Sequence, residues 1–419
     1  MSSLDDDILS VIGSEFRTNP PAKLGVAVSG GGDSVALLHA LARYFKGSST
    51  RLFAVTVDHG LRPEAGAEVD FVAEVAASLS LPHERLNWSG WDGKGNLQDR
   101  ARAARYDLMA RWARARDVPL VALGHTEDDQ AETVLMRLAR GSGVDGLSAI
   151  PRRRCHQGVT FLRPFLGLSR DRLRAYLKRH AIDWIEDSSN TDARFTRVRV
   201  RSAAAKLAEL GLTVSALCDV AEHMRRSREA LDWYTFIAAH EAAHLDGGDV
   251  LIDLRQFRTL PEEIARRLLV HALRWVGSSA YPPRRNALMG AIDAIRAEKP
   301  ATLHGCLVLP RKGLIWICRE YSAVCNLEVS AGEAWDSRWR VSSHVPPLPG
   351  LRMRALGRSG LKQCANWRAT KRPLATLLAS PSLWNGQTLV CAPLAGLAST
   401  LAIELTAGAD EFFASLLSH

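Results

Sequence analysis

The sequence lacks the features of secreted and membrane-spanning proteins. No apolar run reaches the length of about 18 residues that a membrane-spanning helix requires. The first residues, MSSLDDDILS, are acidic, whereas a signal peptide begins with a basic segment and continues with an apolar one. We therefore expect a cytoplasmic protein that has no membrane partner.

Paired cysteines are also missing. The seven cysteines are odd in number, and no two of them form a C-x-x-C pair. This pattern argues against a disulfide framework. It also argues against a zinc or iron–sulfur site built on C-x-x-C motifs.

The chain is long enough for more than one domain. Its 419 residues correspond to two or three domains at about 150 residues each. Hydrophobic residues make up 47% of the chain and charged residues 24%, which is ordinary for a globular protein. A disordered or fibrous chain is therefore excluded.

Positive charge is concentrated in one segment. The chain has 54 lysines and arginines against 45 aspartates and glutamates, a net charge of +9. Residues 151–206 contain 14 of the basic and 5 of the acidic residues, so this segment carries the whole excess. Such a concentration favours a polyanionic partner, because neutralising phosphates releases counterions. The alternative is a basic face exposed to solvent.

Strand and helix signals alternate in the first half of the chain. The pattern predicts strands over residues 23–29, 51–58, 82–88 and 119–124, and helices over residues 33–45, 65–79, 96–116 and 127–140. This alternation predicts a parallel sheet covered by helices.

The pattern changes near Gly211. It predicts helices over residues 213–244, with Thr213 as the cap, and 261–276, strands over residues 303–310 and 314–318, and a linker around residues 344–350. We therefore predict an α/β domain over residues 1–212, a mainly helical domain over 213–330 and a small mixed α+β domain over 331–419.

A glycine-rich loop between the first strand and the first helix carries the strongest chemical signal. It reads Ser29-Gly30-Gly31-Gly32-Asp33-Ser34. Glycines allow a positive φ and close backbone approach, and a helix N-terminus offers free N–H groups with partial positive charge. The two serine hydroxyls add donors, so the loop predicts a phosphate site. It is neither a Walker A loop nor a G-x-G-x-x-G loop.

Three carboxylates share one face of the predicted helix over residues 127–140. Asp129 and Glu132 are three residues apart, and Asp128 and Glu132 are four apart. Near a phosphate these charges would repel the ligand unless a cation lay between them, and Mg²⁺ or a substrate ammonium group supplies one. Asp33 is the nearest candidate Mg²⁺ ligand. The alternative is an acidic face exposed to solvent.

Three more polar residues occupy positions next to predicted strands. Asp58 and His59 end the second strand, and His125 precedes the acidic helix. Ligands of open α/β sheets bind at the carboxyl ends of the strands, so these residues are candidates for a site. The alternative for His125 is a histidine buried in the core.

The loop resembles the PP-loop of ATP pyrophosphatases, S-G-G-x-D-S. In that superfamily the loop holds the pyrophosphate that leaves ATP, and AMP is the other product. Adenylation turns a carbonyl oxygen, which leaves poorly, into a group that leaves well when a nucleophile attacks.

Five more segments carry recognisable motifs. They are VDHGLR at 57–62, Asn96 with Ala101-Arg102 and Arg105-Tyr106, HTEDDQAET at 125–133 followed by Arg137 and RGSG at 140–143, RPFL at 163–166, and WIEDSSN at 184–190. With the loop, these motifs lie within residues 23–202, about half of the chain, and together they resemble one branch of this superfamily, the tRNA(Ile)-lysidine synthetases. One position departs from the family, because its final R-N-x-I-R reads Arg197-Val198-Arg199-Val200-Arg201 here. Val198 therefore lacks the polar contact of the family's asparagine.

The resemblance implies an α/β fold with a parallel-sheet PP-loop domain (adenine nucleotide alpha hydrolase-like), followed by domains that grip tRNA. It implies that ATP adenylates C2 of the wobble cytidine in the CAU anticodon of an isoleucine tRNA. Free L-lysine then displaces AMP, and the lysidine formed changes the codon read from AUG to AUA. Monomer and homodimer both stay open.

The resemblance and the residue patterns together assign the candidate roles. Catalysis is assigned to Asp33, Asp129, Glu132 and Arg201, nucleotide binding to Ser29, Gly30, Gly31, Gly32, Asp33, Ser34, Asp58 and His59, lysine or tRNA binding to His125, Asp128, Arg197 and Arg199, and Mg²⁺ binding to Asp33.

Two alternatives remain open. A PP-loop tRNA thiolase typically needs paired cysteines, and no C-x-x-C pair occurs here. A non-catalytic RNA-binding protein would carry a decayed loop. The residues that argue against decay, all of them intact, are Ser29, Asp33, Ser34, Asp129 and Glu132.

Overall fold

The computed structural model describes residues 3–60, 65–89, 97–186, 196–279, 281–342 and 350–417. It divides into two compact units, Met1–Arg228 and Glu229–Ser418. The division falls inside one long helix, and the three predicted domains stay a prediction. No helix in the described ranges is both long and apolar enough to cross a membrane.

The first unit alternates strands and helices. Its strands are β1 (Lys23–Ala27), β2 (Arg51–Asp58), β3 (His83–Asn87), β4 (Leu120–Leu123), β5 (Arg153–His156) and β6 (Val159–Leu162). Its helices are α1 (Ser3–Phe16), α2 (Gly32–Tyr44), α3 (Ala65–Ser78), α4 (Leu97–Ala115), α5 (Glu127–Leu138), α6 (Val144–Leu147), α7 (Arg170–Arg179), α8 (Thr196–Glu209) and the first part of α9 (Val214–Ala242).

These strands form one sheet in the order β3-β2-β1-β4-β6-β5. All neighbours pair in parallel except β5, which forms an antiparallel edge with β6. The predicted α/β fold is therefore confirmed. Each of the four predicted strands and four predicted helices is present, with ends within about two residues of the prediction.

The core lies on both faces of this sheet. Leu24 and Val26 of β1 pack with α1, α2, α3 and α7, whereas the other face packs against α4. A Cβ atom on Gly25 would lie 2.9 Å from the Trp112 ring of α4, so glycine lets this helix approach closely.

The strand order creates a crevice beside β1. From β1 the chain runs outward through β2 and β3, then returns across the sheet through α4 to β4 on the other side of β1. The carboxyl ends of β1 and β4 therefore meet at a switch point, where ligands bind in open α/β sheets.

The second unit is built on antiparallel sheets. Its helices are the rest of α9, α10 (Leu254–Thr259), α11 (Glu262–Gly277), α12 (Arg285–Arg296), α13 (Tyr321–Val324), α14 (Gly357–Leu361), α15 (Leu374–Ala379) and α16 (Ala409–Ala414). Its strands are β7 (Ala243–Asp246), β8 (Asp249–Asp253), β9 (Ala301–Leu303), β10 (Cys306–Arg311), β11 (Leu314–Arg319), β12 (Glu328–Ser330), β13 (Trp339–Val341), β14 (Leu351–Ala355), β15 (Pro381–Asn385), β16 (Thr388–Cys391) and β17 (Ile403–Leu405).

The predicted helices of this half are present, but the strand content is higher than predicted. Thr213 Oγ1 accepts a hydrogen bond from Ala216 N at 3.2 Å, as expected of the cap of α9. The segment predicted as mainly helical also holds the five-stranded sheet β7-β8-β11-β10-β9. The strand predicted over residues 303–310 is two strands, because His304 and Gly305 both have positive φ and turn the chain. The predicted linker falls largely on residues 343–349, outside the described ranges.

Candidate active site

A cavity of about 440 Å³ opens at the switch point of the first unit. Its walls come from the β1–α2 loop, the end of β4, and helices α4, α5, α7 and α8. Five arginines but only three carboxylates line it, so it favours an anionic ligand. The lining residues are Ala27, Ser29, Gly31, Gly32, Asp33, Ser34, Arg105, Gly124, His125, Asp129, Arg170, Arg174, Ile185, Glu186, Arg197 and Arg201.

The glycine-rich loop is folded as a cradle at the start of α2. Ser34 Oγ donates to Gly31 O at 2.9 Å and accepts from Ser29 N at 3.1 Å, which closes the loop on itself. Gly30 has φ +85°, a left-handed conformation that favours glycine. The first turn of α2 presents backbone N–H groups, since a helix N-terminus lacks intrahelical partners for them. This geometry suits a phosphate, as the sequence predicts.

Two segments press against the cradle from outside. A Cβ atom on Gly124 would lie 2.9 Å from the backbone of Asp33, so the chain after β4 passes directly against the loop. Ile185 N donates to Gly30 O at 2.9 Å, and Trp184 Nε1 donates to Glu186 at 2.9 Å. The tryptophan–glutamate motif thus positions the loop, while Asp187–Asn190 of the same motif lie outside the described residues.

Asp33 faces the cavity from the first turn of α2. Its carboxylate accepts a hydrogen bond from Arg170 Nε at 3.1 Å. Burial raises the pKa of Asp33, and the nearby carboxylates Asp129 and Asp128 raise it further, although Arg170 opposes them.

Asp129 stands beside Asp33 and also supports α5. It accepts hydrogen bonds from Thr126 N at 3.0 Å and Thr126 Oγ1 at 3.2 Å, and its other oxygen lies 3.6 Å from Arg170. Burial alone would raise the pKa of Asp129. His125, the Thr126 N–H and two arginines outweigh burial and lower it, so Asp129 is ionised.

Asp128 does not line this cavity. It accepts a hydrogen bond from Arg170 N at 2.8 Å, at the first residue of α7. This contact places the carboxylate at a helix N-terminus, where negative charge is favourable. Asp128 therefore fixes α5 against α7.

Glu132 is the centre of an arginine cluster. Its buried side chain, 6% exposed, bonds to Arg201, while Arg197 Nε lies 3.1 Å away and Arg170 lies 3.7 Å away. Its charge is therefore already neutralised by the protein. The carboxylate attaches α8 and α7 to α5, which makes Glu132 a positioning residue for these arginines.

The three alternating arginines lie on a helix, one of the two conformations considered from sequence. Arg197 and Arg201 are one turn apart in α8 and share the face that meets Glu132. Arg199 is exposed and is not among the cavity-lining residues. The structure therefore divides the three into a pair and a single residue.

Asp58 and His59 lie at the end of β2, outside the cavity lining. Asp58 accepts from Gly60 N at 2.8 Å and pairs with Arg85, and these contacts lower its pKa. His59 packs edge-on to Trp88 at 5.6 Å, and its buried Nδ1 has no partner among the described residues. The chain that follows, residues 61–64, lies outside the described ranges, so their nucleotide-binding role stays a prediction.

His125 lines the cavity at the end of β4. Burial lowers the pKa of His125 to about 3, so the ring is neutral at physiological pH. Its Nδ1 has no partner among the described residues. This favours a ligand-facing histidine over a core histidine.

Four charged residues of the cavity were not singled out from sequence as site residues: Arg105, Arg170, Arg174 and Glu186. Arg105 belongs to a quoted motif, and Arg170 lies in the basic segment. Membership of a motif or of the basic segment was thus the only sequence signal for these residues. No cysteine lines the cavity within the described chain.

A second cavity of about 330 Å³ shares one wall with the first. Asp128, Glu132, Arg170 and Arg201 form its polar end. The rest is mostly apolar and comes from α5, α8 and the start of α9. These residues are Ala131, Leu135, Val200, Ala204, Leu207, Ala208, Leu212, Thr213, Val214 and Leu217.

Comparisons with known proteins agree with this geometry. Residues 5–207 match the PP-loop domain family. The chain is 52% identical over 413 residues to the tRNA(Ile)-lysidine synthase of Ruegeria pomeroyi, covering 99% of this chain and 98% of that protein. It is 38% identical over 327 residues to the tRNA(Ile)-lysidine synthase of Wolbachia pipientis, covering 76% of each. The same enzyme of Rhodopseudomonas palustris is 42% identical over 281 residues, 66% of this chain and 81% of that one.

Proposed function

The chain belongs to the tRNA(Ile)-lysidine synthase family of PP-loop, ATP-using ligases, and from this premise we propose the reaction that its residues carry out. ATP adenylates C2 of the wobble cytidine in the CAU anticodon of an isoleucine tRNA. Free L-lysine then replaces the adenylate to give lysidine, which changes the codon read from AUG to AUA. The relatives carry neither alternative name, so the thiolase and non-catalytic readings are set aside.

One observation carries this proposal: the phosphate cradle lines the same cavity as Asp129 and the arginines Arg170, Arg197 and Arg201. The test is incubation of the full chain with ATP, radiolabelled lysine and bulk bacterial tRNA. We expect label in a single tRNA species and one AMP per lysine. Label in no tRNA, or in species without a CAU anticodon, would contradict the proposal.

The reaction has two balanced steps. In the first, the C2 oxygen of cytidine attacks the α-phosphorus of ATP, and the bond to the β-phosphate breaks to release pyrophosphate. In the second, the lysine ε-nitrogen attacks C2, the C2–O bond breaks to release AMP, and the nitrogen loses its protons to solvent or a base. The cradle at Ser29–Ser34 binds the leaving pyrophosphate through N–H and hydroxyl donors.

Mg²⁺ fits the carboxylates of the cavity. Asp33 and Asp129 offer the hard oxygen ligands that this ion prefers, and Mg²⁺ is usually held by one or two carboxylates together with substrate phosphates. When bound, it neutralises charge on the phosphates. Arg170, which is bonded to Asp33 in the structure, would then pair with the other nearby carboxylates, Asp129 and Glu132.

The second cavity suits the substrate lysine. Its apolar walls match the four-carbon stem of the side chain, and the Asp128 carboxylate at its polar end offers an acceptor for an amine. This end adjoins the nucleotide cavity through Arg170 and Arg201, which line both. The ε-nitrogen would therefore point toward the adenylated base.

Blocking this second cavity should weaken lysine binding selectively. Ala208 is exposed at its edge, so Ala208→Trp fills space without displacing core atoms. We expect KM for lysine to rise by about tenfold, as for loss of a comparable apolar contact, with KM for ATP unchanged. Ser202→Trp, exposed on the same helix but outside the cavity, is the matched control. Equal effects of the two variants would place lysine elsewhere.

Arg199 and Arg201 should differ in what they contribute. Arg199→Ala should weaken tRNA binding and reduce the log–log salt slope by roughly 0.7–0.9, the value for one lost phosphate contact. Arg201→Ala should lower the single-turnover rate of lysine transfer and leave that slope unchanged, because fixed cations stabilise transition-state charge. Salt titrations of binding and single-turnover assays on both variants measure the difference. If both variants were indistinguishable from wild type, the alternative interpretation of this segment, a basic face exposed to solvent, would be favoured.

A further inference from the structure

Arg105 differs from every other arginine of the nucleotide cavity. Four of the five lining arginines lie within 4 Å of a carboxylate: Arg170 of Asp33, Arg174 of Glu186, and Arg197 and Arg201 of Glu132. Arg105 has no acidic partner and no hydrogen bond among the described residues.

Within the described residues, no ion pair offsets the charge of Arg105, unlike the other four arginines. The phenol of Tyr106 acts on it most strongly after burial, followed by Arg102 and Arg163, both positive. Burial lowers the pKa of Arg105. Arg163 Nη1 donates to Pro151 O and Arg163 Nη2 to Tyr106 Oη, both at 2.9 Å, while its buried Nε has no partner among the described residues. An enclosed cation held without a counter-ion costs folding free energy unless a ligand supplies the charge.

The position of Arg105 indicates which phosphate of the nucleotide it contacts. It extends from α4, on the opposite face of the sheet from α2, and enters the cavity where β1 and β4 end. The cradle at the start of α2 already provides donors for the two phosphates that leave. The neutral ring of His125 lines the cavity with Arg105 and feels its charge.

We propose that Arg105 is the cation for the α-phosphoryl group of the nucleotide, the phosphate that stays on the base after pyrophosphate has left. This inference rests on the proposed adenylation reaction and names a residue that acts on the phosphorus being transferred. Arg105 hydrogen-bonds the non-bridging α-oxygens, whose charge persists from ATP through the adenylate to AMP. The cradle thus binds the two phosphates that leave as pyrophosphate, and Arg105 binds the α-phosphate on the other side of the bond that breaks.

Binding of the two products separately tests this division without tRNA or lysine. Arg105→Ala should weaken AMP binding by about 10- to 100-fold, the loss expected for a hydrogen bond to a charged group, and leave inorganic pyrophosphate within about twofold. Arg111→Ala removes the same charge from an exposed position of the same helix. It should change neither AMP binding nor pyrophosphate binding. Equal losses for AMP and pyrophosphate would overturn the proposal.

A sulfur substitution locates the contact on the phosphorus. With wild type, single-turnover pyrophosphate release should be slower for the α-thio analogue of ATP than for ATP. With Arg105→Ala the ATP rate should fall by about 10²- to 10³-fold and the ratio of the two rates should approach one. A ratio unchanged from wild type would overturn the proposal, as would a variant that loses tRNA affinity but binds AMP normally, which would place Arg105 on the RNA.

The stability of the ligand-free variant separates this role from a structural one. Removing a partly buried cation that has no partner in the described part of the chain should leave the Tm of Arg105→Ala at or above that of wild type, and Arg105→Gln should behave alike. A lower Tm in both variants would make Arg105 a structural residue. If wild type binds AMP and pyrophosphate as expected but never labels tRNA, the adenylation proposal fails while the anion site stands.

Discussion

Asp33→Ala is expected to reduce AMP formation by on the order of 10³-fold or more while leaving the fold intact. Asp33 lines the nucleotide cavity, and its carboxylate bonds to Arg170 of the same lining, so we expect it to serve the triphosphate and its cation. Losing one preorganised charged group at a developing charge costs rates of this size. Single-turnover AMP formation with saturating tRNA and lysine measures the effect.

The pH dependence of stability gives this prediction a second readout. Burial raises the pKa of Asp33, so its ionised form opposes folding once the pH exceeds the ordinary value of a carboxyl group. Asp33→Ala should therefore equal wild type near pH 4 and gain in Tm relative to it toward neutral pH. Arg170 keeps Asp129 and Glu132 as partners in the variant, at 3.6 and 3.7 Å.

The control for Asp33 is an exposed carboxylate on a neighbouring helix. Asp70→Ala on α3 removes the same charge from the surface and should change neither turnover nor the pH profile. A variant of Asp33 that unfolds, or that retains near-normal turnover, would contradict the role assigned to this residue.

Local sequence signals predicted the parts of the site that local sequence determines. The cradle needs only a strand, three glycines and a helix start, and all three are adjacent in the chain. The carboxylates of α5 share a face because three and four residues span one helical turn. The alternation of strands and helices follows from the spacing of apolar residues along the chain, so the sheet of the first unit was predictable too.

Long-range pairing was not predictable in this way. Glu132 meets Arg201 across 69 residues, and Asp33 meets Arg170 across 137. No local sequence pattern indicates which charges are neutralised in the folded protein. The sequence therefore suggested that the Glu132 carboxylate acts on substrate. The five-stranded sheet of the second unit was missed in part for a related reason. Strands of three to six residues offer too few positions to display a period of two.

Removing the Glu132 carboxylate should have the largest structural consequence of any single change in the site. Its oxygens hold two arginines of α8 and approach Arg170 of α7. Glu132→Ala removes the carboxylate that Arg197 and Arg201 share, while Arg170 keeps Asp33 and Asp129. The two α8 arginines are 37% and 29% exposed, so we expect a cost below the about 3–5 kcal/mol of a fully buried ion pair. We expect a lower free energy of unfolding and a loss of lysine transfer much greater than the loss of tRNA affinity.

A double-mutant cycle separates the structural and catalytic parts of this effect. If Glu132 acts by positioning, the cost of its removal in stability arises from the arginines that lose its carboxylate, so Glu132→Gln combined with Arg201→Gln should be more stable than the sum of the single variants predicts. The rate should behave differently. If Arg201 serves the adenylated base, the double variant stays as slow in single-turnover lysine transfer as Arg201→Gln alone, because the group that Glu132 positions is already gone. Additive losses in rate would instead mean that Glu132 contacts substrate itself. Filter binding of tRNA to all four proteins supplies the reference, since an equal fall in affinity and rate would move Glu132 to the RNA surface.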